Sequence, residues 1–140
     1  MAGKFPVENV ENWFDENRRD LPWRKTDDPY KIWVAEVMLQ QTQVKTVLKY
    51  YDDFLDQFPS VEDLAAASQD EVLKAWEGMG FYARARRLHS AAQNVIDEYD
   101  GTLPRSEEHL RSLPGIGEYT AAAIGAFAFG QNSPVLDSNV

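Results

Sequence analysis

The sequence predicts an all-α protein. Apolar residues recur at three- and four-residue spacing along almost the whole chain, alternating strand-like runs are missing, and Pro22, Pro29, Pro59, Pro104 and Pro114 punctuate the periodic segments. Helices are expected at about 7–18, 30–41, 43–57, 61–67, 69–78, 82–99, 106–112 and 118–129, with ends good to about 2–4 residues. The first carries an apolar face, and the second follows Pro29 with the run "YKIWVAEVMLQQ". The third stops short of Pro59. Ser60 precedes "VEDLAAA" with Asp63 three residues on, and Ser68 precedes "QDEVLKAW" with Glu71 at the same spacing. A serine cap with an early carboxylate favours both of those N-termini. The long sixth helix starts after "GMG", and the last two flank "LPGIG". The chain closes on "VLDSNV", whose cap-type residues read as a helix about to begin, so it is expected to be part of something longer.

At 140 residues the chain suits one domain with a sizeable core and shows no repeat, low-complexity tract or long linker. It contains no cysteine, which excludes a disulfide framework and any thiolate metal site within these residues. No basic leader with an apolar run and no membrane-length apolar stretch is present, so the expected setting is cytoplasmic, without membrane association. The net charge of -9 argues against a nucleic-acid partner. Basic residues are nevertheless concentrated in "NRRDLPWRK" (Arg18, Arg19, Arg24, Lys25) and "FYARARRLH" (Arg84, Arg86, Arg87), so a basic face on an acidic body is compatible with the composition.

Four features carry chemistry. Glu36 lies in an apolar helical stripe whose neighbours at three- and four-residue spacing are Ile32, Trp33, Leu39 and Gln40. Loss of hydration there raises a carboxyl pKa and suits a general acid, although a glutamate paired with an arginine at a packing seam would look the same. In "LPGIGEYTAAAI", Gly115 and Gly117 can turn backbone N–H groups outward at the start of a helix and so form an anion site suited to DNA phosphate. A bare glycine turn would be uninformative, whereas the full L-P-G-I-G-x-x-T-A pattern resembles the hairpin of helix-hairpin-helix DNA-binding proteins. "GMGFYARARRL" sets Phe81 and Tyr82 at a helix start beside arginines, which suits a surface that wedges between bases or packs into a core. Asp137 is positioned as an ordinary helix N-cap, yet with Glu36 it completes the two carboxylates used in glycosidic-bond cleavage.

Together "RDLPWR", "PYKIWVAEVMLQQTQV", "GMGFYARARRLH" and "LPGIGEYTA" resemble, in order and interval, the helix-hairpin-helix base-excision DNA glycosylases, and in particular their MutY-type adenine glycosylase branch. The resemblance implies a six-helix barrel, here about 22–135, with a helix-hairpin-helix motif and an incomplete second helical subdomain, the 140 residues forming the N-terminal part of the catalytic domain. It implies removal of adenine mispaired with 8-oxoguanine or guanine in double-stranded DNA by a monomeric, bacterial, nucleoid-associated enzyme. Glu36 would be the general acid, Asp137 would stabilise the sugar cation, and Tyr119 and Asn139 would line the pocket. Gln41 and Phe81 would enter the duplex. Thr42 would lie beside the 8-oxoguanine contacts, and Arg19, Leu21, Trp23 and Arg24 would help form the adenine pocket. Gly115 and Gly117 would grip phosphate, commonly with a monovalent cation, while Tyr82, Arg84 and Arg86 join the DNA-binding set as aromatics beside cations. No metal ligand set is expected in this chain; a 4Fe-4S cluster and an 8-oxoguanine-recognition domain belong to the longer relatives. Tyr119 stands where endonuclease III-type relatives carry a Schiff-base lysine, which implies base removal without strand cleavage.

Phe81 replaces the usual tyrosine, and Ser138 replaces the glycine that usually follows the catalytic aspartate. The segment is expected to be weak or inactive by itself. The alternatives are a non-catalytic helix-hairpin-helix DNA-binding module, an endonuclease III-type glycosylase, and an acidic helical interaction protein without a DNA role.

Overall fold

A computed structural model describes residues 21–131. Within them the architecture is all-α: a 3-10 turn, Pro22–Arg24, leads into α1 (Pro29–Leu39), α2 (Val44–Gln57), α3 (Val61–Ala66), α4 (Gln69–Ala75), α5 (Tyr82–Tyr99), α6 (Glu107–Arg111) and α7 (Glu118–Phe129). No strand occurs among the described residues. The helix expected at about 7–18 lies outside them.

The expected starts rest on identifiable caps. Asp28 accepts from the Tyr30 N–H, Ser60 from that of Asp63 and Ser106 from that of His109. Ser68 and Glu71 form a reciprocal capping box. Two helices end more than one residue before the expected position. α1 stops at Leu39 because the chain turns through Gln41 at φ 61°, and α4 stops at Ala75 because Gly78 turns at φ 99°. A side chain at Gly78 would collide with the Tyr50 hydroxyl.

α1 is the centre of the molecule. It packs against α2, α5 and α7, while α5 covers α3 and α4 and α7 closes on α6. Every residue from Ile32 to Met38 is buried, so α1 is an enclosed helix with no solvent face in that stretch. Around it lie Trp23, Trp76, Phe54, Leu64, Leu88, Leu110 and Ile124, all fully enclosed. Each large apolar side chain so buried contributes roughly 1.5–3 kcal/mol against the entropy of ordering the chain. The Tyr30 hydroxyl donates to the Phe58 carbonyl at 2.7 Å and so fixes the start of α1 to the end of α2.

Candidate active site and nucleic-acid interface

Glu36 is 6% exposed on the enclosed helix α1, and its Oε2 accepts from Nη2 of Arg24 at 3.1 Å. Burial raises the carboxyl pKa, and the Arg24 charge and hydrogen bond oppose that rise without cancelling it. Arg24 is itself held in place. The Arg24 N–H closes the 3-10 turn on Leu21, Trp23 is sunk in the core edge-on to Tyr51, and the guanidinium lies 4.0 Å above the Phe127 ring. Its Nη1 has no hydrogen-bond partner among the described residues. Leu21 and Trp23, expected at the adenine pocket, are buried and act here as the anchor of the Arg24 turn.

The hairpin joins α6 to α7. Leu113 and Ile116 are buried and pin it down, while Gly115 and Gly117, on either side of Ile116, are exposed. Gly115 adopts φ 80°, and an added Cβ would sit 3.0 Å from the Cβ of Arg87. Gly117 caps α7 with no side-chain hydrogen bond, so among the described residues no side chain caps the N–H groups that open the helix. Tyr119 is 47% exposed in the first turn, and the neighbouring Thr120 accepts from Nε2 of Gln40 at 3.0 Å. That bond ties the end of the Glu36 helix to the helix after the hairpin. Val37, Gln40, Arg84, Arg87, Leu88, Pro114 and Gly115 enclose only about 10 Å³, room for roughly one water, so hairpin, α5 and α1 meet closely.

Gln41, exposed, and Phe81, 58% exposed, both have left-handed backbones, with φ 61° and 52°. Such conformations cost of the order of 1–3 kcal/mol in non-glycine residues and cluster at functional sites. Phe81 is the N-cap of α5 and has no side-chain capping bond. Tyr82 is partly exposed, and its hydroxyl accepts from the Gly78 N–H at 3.4 Å.

The arginines after Phe81 divide sharply. Arg86 and Arg87 are exposed, whereas Arg84 is 6% exposed and points inward. Its guanidinium donates to the carbonyls of Val37, Met38, Gln40 and Gly80 and to the Thr42 hydroxyl. The expectation of a direct DNA contact for Arg84 is therefore corrected to an internal one: its Nη1 and Nη2 donors are engaged by the protein. Burial pulls its pKa downward. The sequence placed Arg87 only in a basic cluster and Gln40 only as a neighbour of Glu36; their places beside Gly115 and against Thr120 depend on contacts between distant segments. Arg19, Asp137 and Asn139 lie outside the described residues, so the second carboxylate is not part of this geometry. Among the described residues no group of three or more His, Cys, Asp or Glu could hold a metal ion, and no helix is long and apolar enough to cross a membrane.

An enclosed carboxylate beside an uncapped helix-hairpin-helix turn defines a class. Residues 34–140 match the model of the HhH-GPD superfamily base excision DNA repair proteins, and the chain belongs to that family. Among curated proteins it is 47% identical to the adenine DNA glycosylase of Homo sapiens, covering 92% of this chain and 25% of that protein. It is 44% identical to the adenine DNA glycosylase of Mycolicibacterium smegmatis over 96% of this chain and 46% of the relative. The chain thus spans between a quarter and just under half of these relatives. A thermostable thymine-DNA glycosylase structure superposes with a TM-score of 0.77 at 36% identity, covering 91% of this chain and 59% of that one. A non-covalent endonuclease III–DNA complex gives 0.71 at 25% identity, covering 88% and 60%.

Proposed function

We propose that the protein is a monofunctional DNA glycosylase that hydrolyses the N-glycosidic bond of adenine opposite 8-oxoguanine or guanine. The observation that carries this reading is Glu36: a carboxylate enclosed on α1, raised in pKa by burial and held by Arg24 at 3.1 Å. In its neutral form Glu36 donates a proton to an extruded adenine as the bond to C1′ breaks. The carboxylate left behind is stabilised by Arg24 and takes a proton from the water that attacks the sugar cation. Asp137 supplies the second negative charge beside that cation. Tyr119 has no amine with which to form a Schiff base, so the product is an abasic site in an intact strand. Extrusion itself falls to Gln41 and Phe81, and phosphate binding to the Gly115–Gly117 turn and the exposed arginines.

The adenine DNA glycosylase relatives support the substrate, and the presence of both carboxylates in the sequence supports the reaction. A monomer acting on chromosomal DNA in the bacterial cytoplasm belongs to the same reading. The chain holds no cysteine, so its residues do not fit a 4Fe-4S cluster and no step runs through one. A monovalent cation at the hairpin belongs to the same reading.

The test is single-turnover base release by the intact protein from a duplex carrying adenine opposite 8-oxoguanine, with a guanine–thymine duplex as control. Adenine release that is lost in Glu36→Gln, with strands breaking only after alkali, is expected. Strand breakage without alkali overturns the monofunctional assignment, and preferential thymine release overturns the adenine assignment.

A further inference from the structure

Gln41 and Phe81 belong to segments far apart in sequence, yet one side chain bonds both neighbours of Gln41 and the residue before Phe81. Arg84 donates to the Gln40 carbonyl and, at 2.8 Å, to the Thr42 hydroxyl, the residues immediately before and after Gln41. The same guanidinium donates to the Gly80 carbonyl at 3.2 Å, the residue immediately before Phe81, and lies 5.5 Å from the Phe81 ring centroid. It is also fixed from below, by the Val37 and Met38 carbonyls at 3.2 and 2.8 Å and by the Trp76 ring at 5.2 Å. Trp76 in turn donates its indole N–H to the Gly80 carbonyl at 3.1 Å, so that oxygen is gripped twice.

The two residues so joined are two of the three exposed non-glycine residues with left-handed backbones among the described residues, the third, Asp100, being the C-cap of α5. A backbone in that region persists only where its surroundings hold it. The planar guanidinium is suited to this task, because its donors are fixed relative to one another and transmit the position of one turn to the other.

We infer that Arg84 is a positioning residue that holds the Gln41 and Phe81 turns in one register, so that the two side chains enter a DNA duplex as a single unit. This rests on the base-excision reading above for its DNA partner, but not on which base is excised. Arg84 touches no DNA in this arrangement; it acts through the two residues it joins.

The experiment is a double-mutant cycle in the intact protein. Duplexes carry 2-aminopurine beside the mispaired base, so the rise in fluorescence on binding reports side-chain insertion and unstacking. Gln41→Ala, Phe81→Ala and the double variant are compared in the wild-type background and again with Arg84→Lys, which keeps the charge but not the fork of donors. If the clamp operates, the double variant in the wild-type background loses no more insertion than the worse single variant, a departure from multiplied effects of about fivefold or more. In the Arg84→Lys background the two losses multiply to within about twofold.

Multiplied losses in the wild-type background overturn the inference, and this arm stands even if Arg84→Lys fails to fold. Coupling that survives intact in Arg84→Lys also overturns it, since another path would then join the turns. A wild-type protein that gives no fluorescence rise on any duplex overturns it as well. Adenine release measured alongside keeps the readings apart: insertion with coupling but without adenine release sinks the adenine assignment and leaves the clamp standing.

Discussion

Arg24 meets Glu36 at 3.1 Å, joining the 3-10 turn to α1, and this is the only ion pair formed among the described residues. The arginine does not offset the cost of burying the carboxylate, whose pKa is raised above its ordinary 4.5. Between that value and the raised one, the folded protein holds a proton that the unfolded chain releases. Stability therefore falls as pH rises through this window. Glu36→Gln removes the dependence: the variant is expected to be at least as stable as wild type at neutral pH. Its relative advantage should grow as pH rises through the window and then level off. Urea midpoints of both proteins between about pH 4 and 8 check this. A wild-type advantage that grows with pH would mean that Arg24 outweighs burial.

The hairpin glycines should respond differently. Gly115→Ala forces a side chain into φ 80° and against Arg87, at an expected cost of about 1–2 kcal/mol or more. Gly117 has no atom within 4 Å of an added Cβ and a negative φ, so Gly117→Ala should melt like wild type. Thermal melts of both variants decide; equal losses would contradict the geometry.

Tyr30→Phe removes the donor to the Phe58 carbonyl and leaves that buried oxygen unpaired. A loss of about 1–3 kcal/mol in unfolding free energy is expected. Burial also pushes the Tyr30 hydroxyl pKa far above its ordinary value, and pushes that of Tyr51 up to about 12. Ultraviolet titration should therefore find both still protonated at a pH where exposed tyrosines ionise.

Arg86 and Arg84 separate binding from folding. Arg86→Ala should weaken duplex binding across sequences, reduce the salt slope by about 1, and leave the melting temperature unchanged. Arg84→Met strands several buried carbonyls and should cost about 2 kcal/mol or more in stability. Salt titrations of binding and thermal melts on the same pair would expose a reversed order.

The helices were legible because periodicity and caps act locally: Ser60, Ser68 and Asp28 each accept from a backbone N–H within three residues. The unusual setting of Glu36 was legible too, since its apolar neighbours lie on its own helix. The identity of its partner was not, because Arg24 reaches it from a separate turn. Arg84 shows the limit best. Beside an aromatic and two other arginines its letter reads as a phosphate ligand, and only the return of residues 37–42 against α5 turns it inward. The early end of α1 has the same origin, since the left-handed turn at Gln41 is held by that distant side chain.

The Gln40–Thr120 hydrogen bond, set where α1 packs on α7, carries a mechanical consequence. On the proposed reading, the acid at Glu36 and the backbone grip at the hairpin stand at a separation that neither helix can adjust without breaking the core. The protein is then the stiff gauge and the duplex the compliant piece, so the DNA must bend and yield a base to span the gap. A pair already weakened by mismatch yields at lower cost. Discrimination thus begins in the elasticity of the nucleic acid, before any atom of the base has been read.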